Sequence, residues 1–79
     1  MRMLNIGYGN LVAVDKLISI ISPESAPIKR MIQDNREKGK IVDATFGRRT
    51  KSLLVMENGY IILSALMPET IAARLEDKE

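Results

Sequence analysis

Ser52-Leu53-Leu54-Val55-Met56-Glu57-Asn58-Gly59-Tyr60-Ile61-Ile62-Leu63-Ser64 is two apolar runs separated by Asn-Gly, and its reading decides the fold. Asn and Gly both tolerate positive φ, so the pair predicts a β-hairpin closed by a two-residue type I′ turn, with strands over 52–56 and 60–66. In that register Glu57 pairs with Tyr60, Met56 faces Ile61, Val55 faces Ile62 and Leu54 faces Leu63. One face then carries Leu54, Met56, Ile61 and Leu63, and the other carries Leu53, Val55 and Ile62. Both faces are apolar, and such strands must be covered on both sides.

Immediately before the hairpin stands Gly47-Arg48-Arg49-Thr50-Lys51. A basic turn held by a rigid sheet presents fixed charge to an anionic surface, and nucleic acid is the first partner it suggests. A solvated loop and a protein-binding edge are the other readings. The charge of the neighbourhood is uneven: from Lys29 to Lys51 eight cations stand against three carboxylates, a net +5, in a chain whose total is +2. From Ser52 onward two cations stand against five carboxylates, a net −3. A basic middle with an acidic end is an electrostatic footprint for a polyanion, provided the fold gathers the cations on one side.

Working outward, residues 3–6 read as a short strand and Gly7-Tyr8-Gly9-Asn10 as a turn whose glycines can adopt positive φ. Residues 17–22, rich in isoleucine, read as a strand, while 11–16 fit either strand or a helical turn. Ser25 is a suitable N-cap for a helix with Pro27 in its first turn, apolar positions at Ile28, Met31 and Ile32, and a stop at Gly39. Lys29, Gln33 and Arg36 flank that apolar face as a stripe, which suits either a phosphate backbone or plain solvent. A strand follows over 41–44. After the hairpin, Met67-Pro68-Glu69-Thr70 opens a short helix carrying Ile71, Ala72 and Leu75.

The expected architecture is one α+β domain over residues 1–79, a small, mostly antiparallel sheet with one internal helix and a short C-terminal helix. One internal helix shields one face of the hairpin and the terminal helix is short, so a neighbouring subunit is expected to help cover the other. The protein is therefore expected to be a homo-oligomer; the other reading is that strands near the limit of a small core simply read as apolar.

Catalysis finds little support. The chain has neither His nor Cys, which removes the commonest general base, the thiol nucleophile and nearly all zinc sites. Asp15, Asp34 and Asp43 are well separated, and Gly7-Tyr8-Gly9 lacks the rest of a phosphate loop. No enzyme activity, cofactor, metal or small-molecule substrate is expected. No apolar run approaches a transmembrane length and Met1-Arg2-Met3-Leu4-Asn5 lacks a signal-peptide core, so the expected location is cytoplasmic, away from the membrane.

Asn5-Ile6-Gly7-Tyr8-Gly9-Asn10, Ser22-Pro23-Glu24-Ser25-Ala26-Pro27-Ile28-Lys29-Arg30, Val42-Asp43-Ala44-Thr45 with Gly47-Arg48-Arg49-Thr50, and Pro68-Glu69-Thr70 together resemble the RemA family of small bacterial regulators. The blocks run in order from about Leu4 to Leu75. The resemblance implies a DNA-binding transcriptional regulator, an activator of biofilm matrix genes, which assembles into a ring and carries a DNA-binding surface like that of LytTR domains. It also implies Arg48 and Arg49 as the DNA-binding pair, with Lys16 at a further basic position where the family pattern has Arg, while Phe46 stands where that pattern has His. Lys keeps the charge there but loses the planar fork.

Lys51 would add backbone charge and Lys29 a less central contact. Double-stranded DNA is the expected partner. An RNA-binding or ribosome-associated protein would use the same cations but would more usually show exposed aromatics, and only Tyr8, Phe46 and Tyr60 are present. A structural assembly protein whose basic turn meets an acidic partner is the third reading.

Overall fold

The computed structural model describes residues 2–77, in the order β1 (Met3–Asn5), β2 (Leu11–Ala13), a 3-10 turn (Val14–Lys16), β3 (Leu17–Ile21), α1 (Ala26–Glu37), β4 (Ile41–Asp43), β5 (Ser52–Met56), β6 (Ile61–Ser64) and α2 (Pro68–Glu76). Four strands form one mixed sheet in the order β3-β5-β6-β4, with β4 parallel to β6 and the other pairs antiparallel. β1 and β2 form a separate antiparallel hairpin, so the single sheet expected from the sequence is in fact two. The ambiguous stretch 11–16 is both things in succession, a strand and then a helical turn.

The central hairpin is closed by three residues rather than two. Met56 N–H donates to Tyr60 O and Gly59 N–H to Met56 O, both at 2.9 Å. Of the loop residues only Gly59 has positive φ, at 88°. This is a type I turn followed by a left-handed glycine. Asn58 stays out of the left-handed region and instead accepts Tyr60 N–H on Oδ1 at 3.0 Å. The register is therefore Leu54 with Ile62 and Leu53 with Leu63, one residue from the expected pairing.

A one-residue slip moves every β6 side chain to the opposite face. Ile62 joins Leu54 and Met56, while Ile61 and Leu63 join Leu53 and Val55. Both faces stay apolar because β6 is apolar at three successive positions.

α1 covers the face of Leu53, Ile61 and Leu63 with Ile28, Met31 and Ile32. Its ends are capped as the sequence suggests. Ser25 Oγ accepts Ile28 N–H at 3.4 Å, and at the other end Gly39, at φ 73°, donates to Arg36 O while Lys40 N–H donates to Asn35 O. That pair of bonds is a Schellman closure, which needs the glycine.

The opposite face is covered mainly by the β1–β2 hairpin through Leu4, Ile6 and Val12, joined by Ile71 of α2. Ile71 is the one fully buried side chain of α2, so its loss should cost about 2–5 kcal/mol. The helix end is also tied down. The Arg2 guanidinium donates to the carbonyls of Arg74, Leu75 and Asp77 at 2.7 Å each, satisfying acceptors that the last turn leaves free.

Cover on this second face is incomplete. An open cleft of about 610 Å³ remains between β2 and the β4 side of the sheet, lined by Leu11, Val12, Val42, Met56, Tyr60 and Ile62 among others. Leu11 and Val42 are 55% and 45% exposed there.

The loop geometry separates two substitutions. Gly59→Val forces a β-branched residue to positive φ and should cost about 1–3 kcal/mol, a melting temperature lower by roughly 5–15 °C. Asn58→Ala, which removes one exposed hydrogen bond, should change it by only a few degrees. Thermal denaturation of both variants is the check, and a larger loss for Asn58→Ala would restore the two-residue turn.

Candidate nucleic-acid interface

The basic turn is built on the end of β4. Asp43 Oδ1 accepts both Thr45 N–H at 2.9 Å and the Thr45 hydroxyl at 2.6 Å. Thr45 is buried, and its carbonyl accepts Arg48 N–H at 3.0 Å. Between them Phe46 and Gly47 have φ of 56° and 79°, the values of a type I′ turn. Lys51 N–H then donates to Ser64 O at 2.8 Å, so the segment is fixed at both ends. Arg48 and Arg49 lie exposed on the anchored stretch. The Thr45 hydroxyl and then the Thr45 amide hold the Asp43 carboxyl below its ordinary pKa, with a smaller contribution from Arg36 and slight desolvation opposing.

A second turn stands beside the first. Asn10 N–H donates to Gly7 O at 3.1 Å, and Tyr8 and Gly9 have φ of 54° and 79°. The type I′ geometry predicted for Asn58-Gly59 thus occurs at these two turns instead. Asn10 Nδ2 joins them, donating to Gly7 O at 3.0 Å and to Ala44 O at 3.4 Å. Below them the buried Ser64 hydroxyl donates to Ile6 O at 2.9 Å, and the buried Ser52 hydroxyl donates to Leu66 O.

The two turns put their aromatic rings together. Tyr8 and Phe46 stack with centroids 5.4 Å apart and planes 15° from parallel. The Arg48 guanidinium lies over the Tyr8 ring, 5.8 Å from its centroid. A non-glycine residue at positive φ costs about 1–2 kcal/mol, twice here, whereas an aromatic pair returns about 0.5–1.5 kcal/mol. The arrangement is not one that stability alone selects.

Of the cations singled out in the sequence, Arg48, Arg49 and Lys51 are exposed on one connection. Lys29, in the first turn of α1, is exposed at the same end of the sheet, because β3 runs into α1 from Ile21, the partner of Leu53 near the start of β5. Lys16 is not with them. It sits at the opposite end, where Leu17 pairs with Met56, Lys16 O accepts Glu57 N–H at 2.7 Å and Lys16 Nζ is 3.3 Å from Glu57 Oε1. The length of β5 separates the two ends, about 13 Å at the usual rise per residue. The ion pair itself is exposed and worth little.

Sequence reasoning underrated the aromatics. Tyr8, Phe46 and Tyr60 are all exposed, at 49%, 78% and 39%. The available signal was the dipeptides Tyr8-Gly9 and Phe46-Gly47, each an aromatic followed by a turn glycine. Among the described residues no group of His, Cys, Asp or Glu is arranged to hold a metal ion, and no helix is long and apolar enough to cross a membrane.

Residues 3–75 match the RemA-like family model, described as extracellular matrix regulatory protein A-like. The chain is 58% identical over 78 residues to the extracellular matrix regulatory protein A of Bacillus subtilis, covering 99% of this chain and 88% of that protein. It is 56% identical over 79 residues to a protein of Acetivibrio thermocellus whose name marks it as a candidate regulatory protein, covering 100% of this chain and 85% of that one.

The Asp43 geometry sets a pH dependence. Its folded pKa is depressed, so its contribution is complete above the ordinary carboxylate value of 3.8 and is lost as pH falls through the lower folded value. Asp43→Asn should therefore melt below the wild type at neutral pH, and the gap should close in acid below about pH 4. Melting curves over a pH series are the check, and a gap independent of pH would show that the Asp43 charge does not hold the turn.

Proposed function

The chain belongs to the RemA-like family of regulatory proteins, and from that premise we propose that it is a duplex-DNA-binding transcriptional regulator, an activator that works in the cytoplasm as a ring-shaped homo-oligomer. Genes of an extracellular matrix are the proposed targets, after the name of the Bacillus subtilis relative. Regulation rather than catalysis is the proposed activity. The observation that carries the reading is the exposed Arg48-Arg49 pair on a turn anchored by Asp43, Thr45 and Ser64, since a fixed cation forgoes less freedom when it grips a phosphate. Lys51 and Lys29 extend the same end of the molecule.

One small domain makes few phosphate contacts and binds weakly on its own. Repetition around a ring multiplies the contacts, and linked sites raise effective concentration where the duplex can follow the curvature. The open cleft supports assembly. It is apolar and concave, and a convex element of a neighbour fills such a surface in a head-to-tail contact, which gives a ring when the rotation closes. Lys16, at the other end of the sheet, would reach the same duplex only where the ring sets it beside the basic end of an adjoining subunit. The stacked Tyr8–Phe46 pair is the one observation favouring an unpaired nucleic acid instead, so single strands belong in the test.

Arg48→Ala and Arg49→Ala should each weaken duplex binding severely while leaving folding and assembly intact, and binding by the wild type should fall more steeply with salt than binding by either variant. Gel shifts over a salt series, on duplex DNA and on single-stranded RNA, are the measurement. Assembled Ala variants that bind duplex like the wild type at every salt concentration would refute the assignment, and a preference for RNA would move it to the rival. Light scattering should show a species well above the 8.8 kDa monomer. Val42→Asp, at an exposed position in the cleft, should return it to the monomer with the fold preserved.

A further inference from the structure

Phe46 has the highest exposure of the large apolar side chains among the described residues, and its backbone is left-handed. Gly or Asn would occupy that position with less strain. The ring is nevertheless held in place. It lies nearly parallel to Tyr8, whose turn is tied to Ala44 through Asn10, and the Arg48 guanidinium rests on the same Tyr8 ring. An apolar ring is thereby set at a defined position two residues from Arg48 and three from Arg49. Tyr8 covers one face of it, leaving the other face and the edge to solvent.

Resting on the reading of this turn as the duplex contact, we propose that Phe46 is an apolar wedge that packs on sugar and base edges at a deformable step of the bound DNA, with Tyr8 the positioning residue behind it. The chemistry is distinct from that of the arginines. Cations grip phosphates whatever the sequence, so they confer affinity without choosing where the duplex bends. A ring inserted part-way between bases is favourable only where a step unstacks cheaply, as at TA or CA/TG, and unfavourable on stiff A-tracts. A ring followed by two arginines on the same anchored turn combines both, and repeated around a ring-shaped assembly it would select DNA that bends at regular intervals. Tyr8 contributes by holding Phe46 upright and by restricting Arg48, both through its ring faces and neither through its hydroxyl.

The test compares two duplexes of equal length and charge, one with TA steps at helical spacing and one an A-tract, together with the single strand, over a salt series. Phe46→Ala is expected to lose about tenfold in affinity on the TA duplex and little on the A-tract. Its salt slope should match the wild type, because no cation is removed. Phe46→Leu, still an apolar wedge, should keep most of the preference. Tyr8→Ala should lose the preference and Tyr8→Phe should retain it. Arg48→Ala, measured alongside, should weaken binding to both duplexes with a shallower slope.

If folded, assembled Phe46→Ala binds both duplexes like the wild type while Arg48→Ala does not, the wedge is overturned and the phosphate contact stands. If Arg48→Ala also binds like the wild type, the duplex reading falls with it. A loss confined to the single strand would make the ring pair a stacking platform for unpaired bases, which also overturns the wedge.

Discussion

A four-stranded sheet that is apolar on both faces is a demanding object for a chain of 79 residues, and the rest of the molecule is arranged around covering it. Leu53 and Leu54, adjacent in β5, point to opposite faces and are both fully buried, so neither face can be left to water. α1 closes one side with three apolar residues on its inner stripe. The other side is closed by two pieces from the chain ends, the β1–β2 hairpin and α2, and these are fastened to each other by Arg2 and by Arg74, which donates to Asn5 O at 2.9 Å. The buried polar groups at the seam are satisfied, with Ser52 and Ser64 each donating to a backbone carbonyl. An unsatisfied hydroxyl in either place would cost more than the bond contributes.

That same construction creates the two ends of the protein. Because β4 runs parallel to β6, the connection from β4 to β5 emerges at the end of the sheet where β1 also ends, and the two type I′ turns meet there. At the opposite end the hairpin tip carries Lys16 against Glu57, and Lys40 Nζ 5.5 Å from the Tyr60 ring. The partly covered apolar cleft opens beside it. The Arg48-Arg49 turn, the two strained residues and the Tyr8–Phe46 pair are thus collected at one end, and the unfinished hydrophobic surface lies toward the other, beside Lys16, Lys40 and Tyr60. Under the proposed function the polyanion meets the first end and a neighbouring subunit fills the cleft; the family to which the chain belongs is one of regulators.

Strain is placed with some economy. The five glycines all have positive φ, and four of them close ordinary turns or a helix end at little cost. Tyr8 and Phe46 are the exceptions among the described residues, and they are the pair whose rings touch each other and, through Tyr8, Arg48. Residues held out of their preferred region in this way mark a site whose geometry matters more than its contribution to stability.

Much of this was legible in the chain. The capped helix between Ser25 and Gly39, the β5 strand, the α2 segment and the exposed Arg48-Arg49 turn follow from local chemistry, since caps, propensity and a basic run between apolar ones act over a few residues. The two-sided apolar character of the hairpin survived a wrong register because it depends on composition at successive positions, not on pairing. What the tertiary structure alone decided was everything that depends on contacts between distant segments. Asn58-Gly59 is compatible with a two-residue or a three-residue closure, and the structure adopts the three-residue loop with Leu54 opposite Ile62. The stacking of Tyr8 on Phe46 follows from two turns far apart in sequence meeting across Asn10, and the separation of Lys16 from the arginines follows from the direction of β5. Local sequence sets which conformations are inexpensive, whereas the mutual burial of remote elements sets which one is occupied.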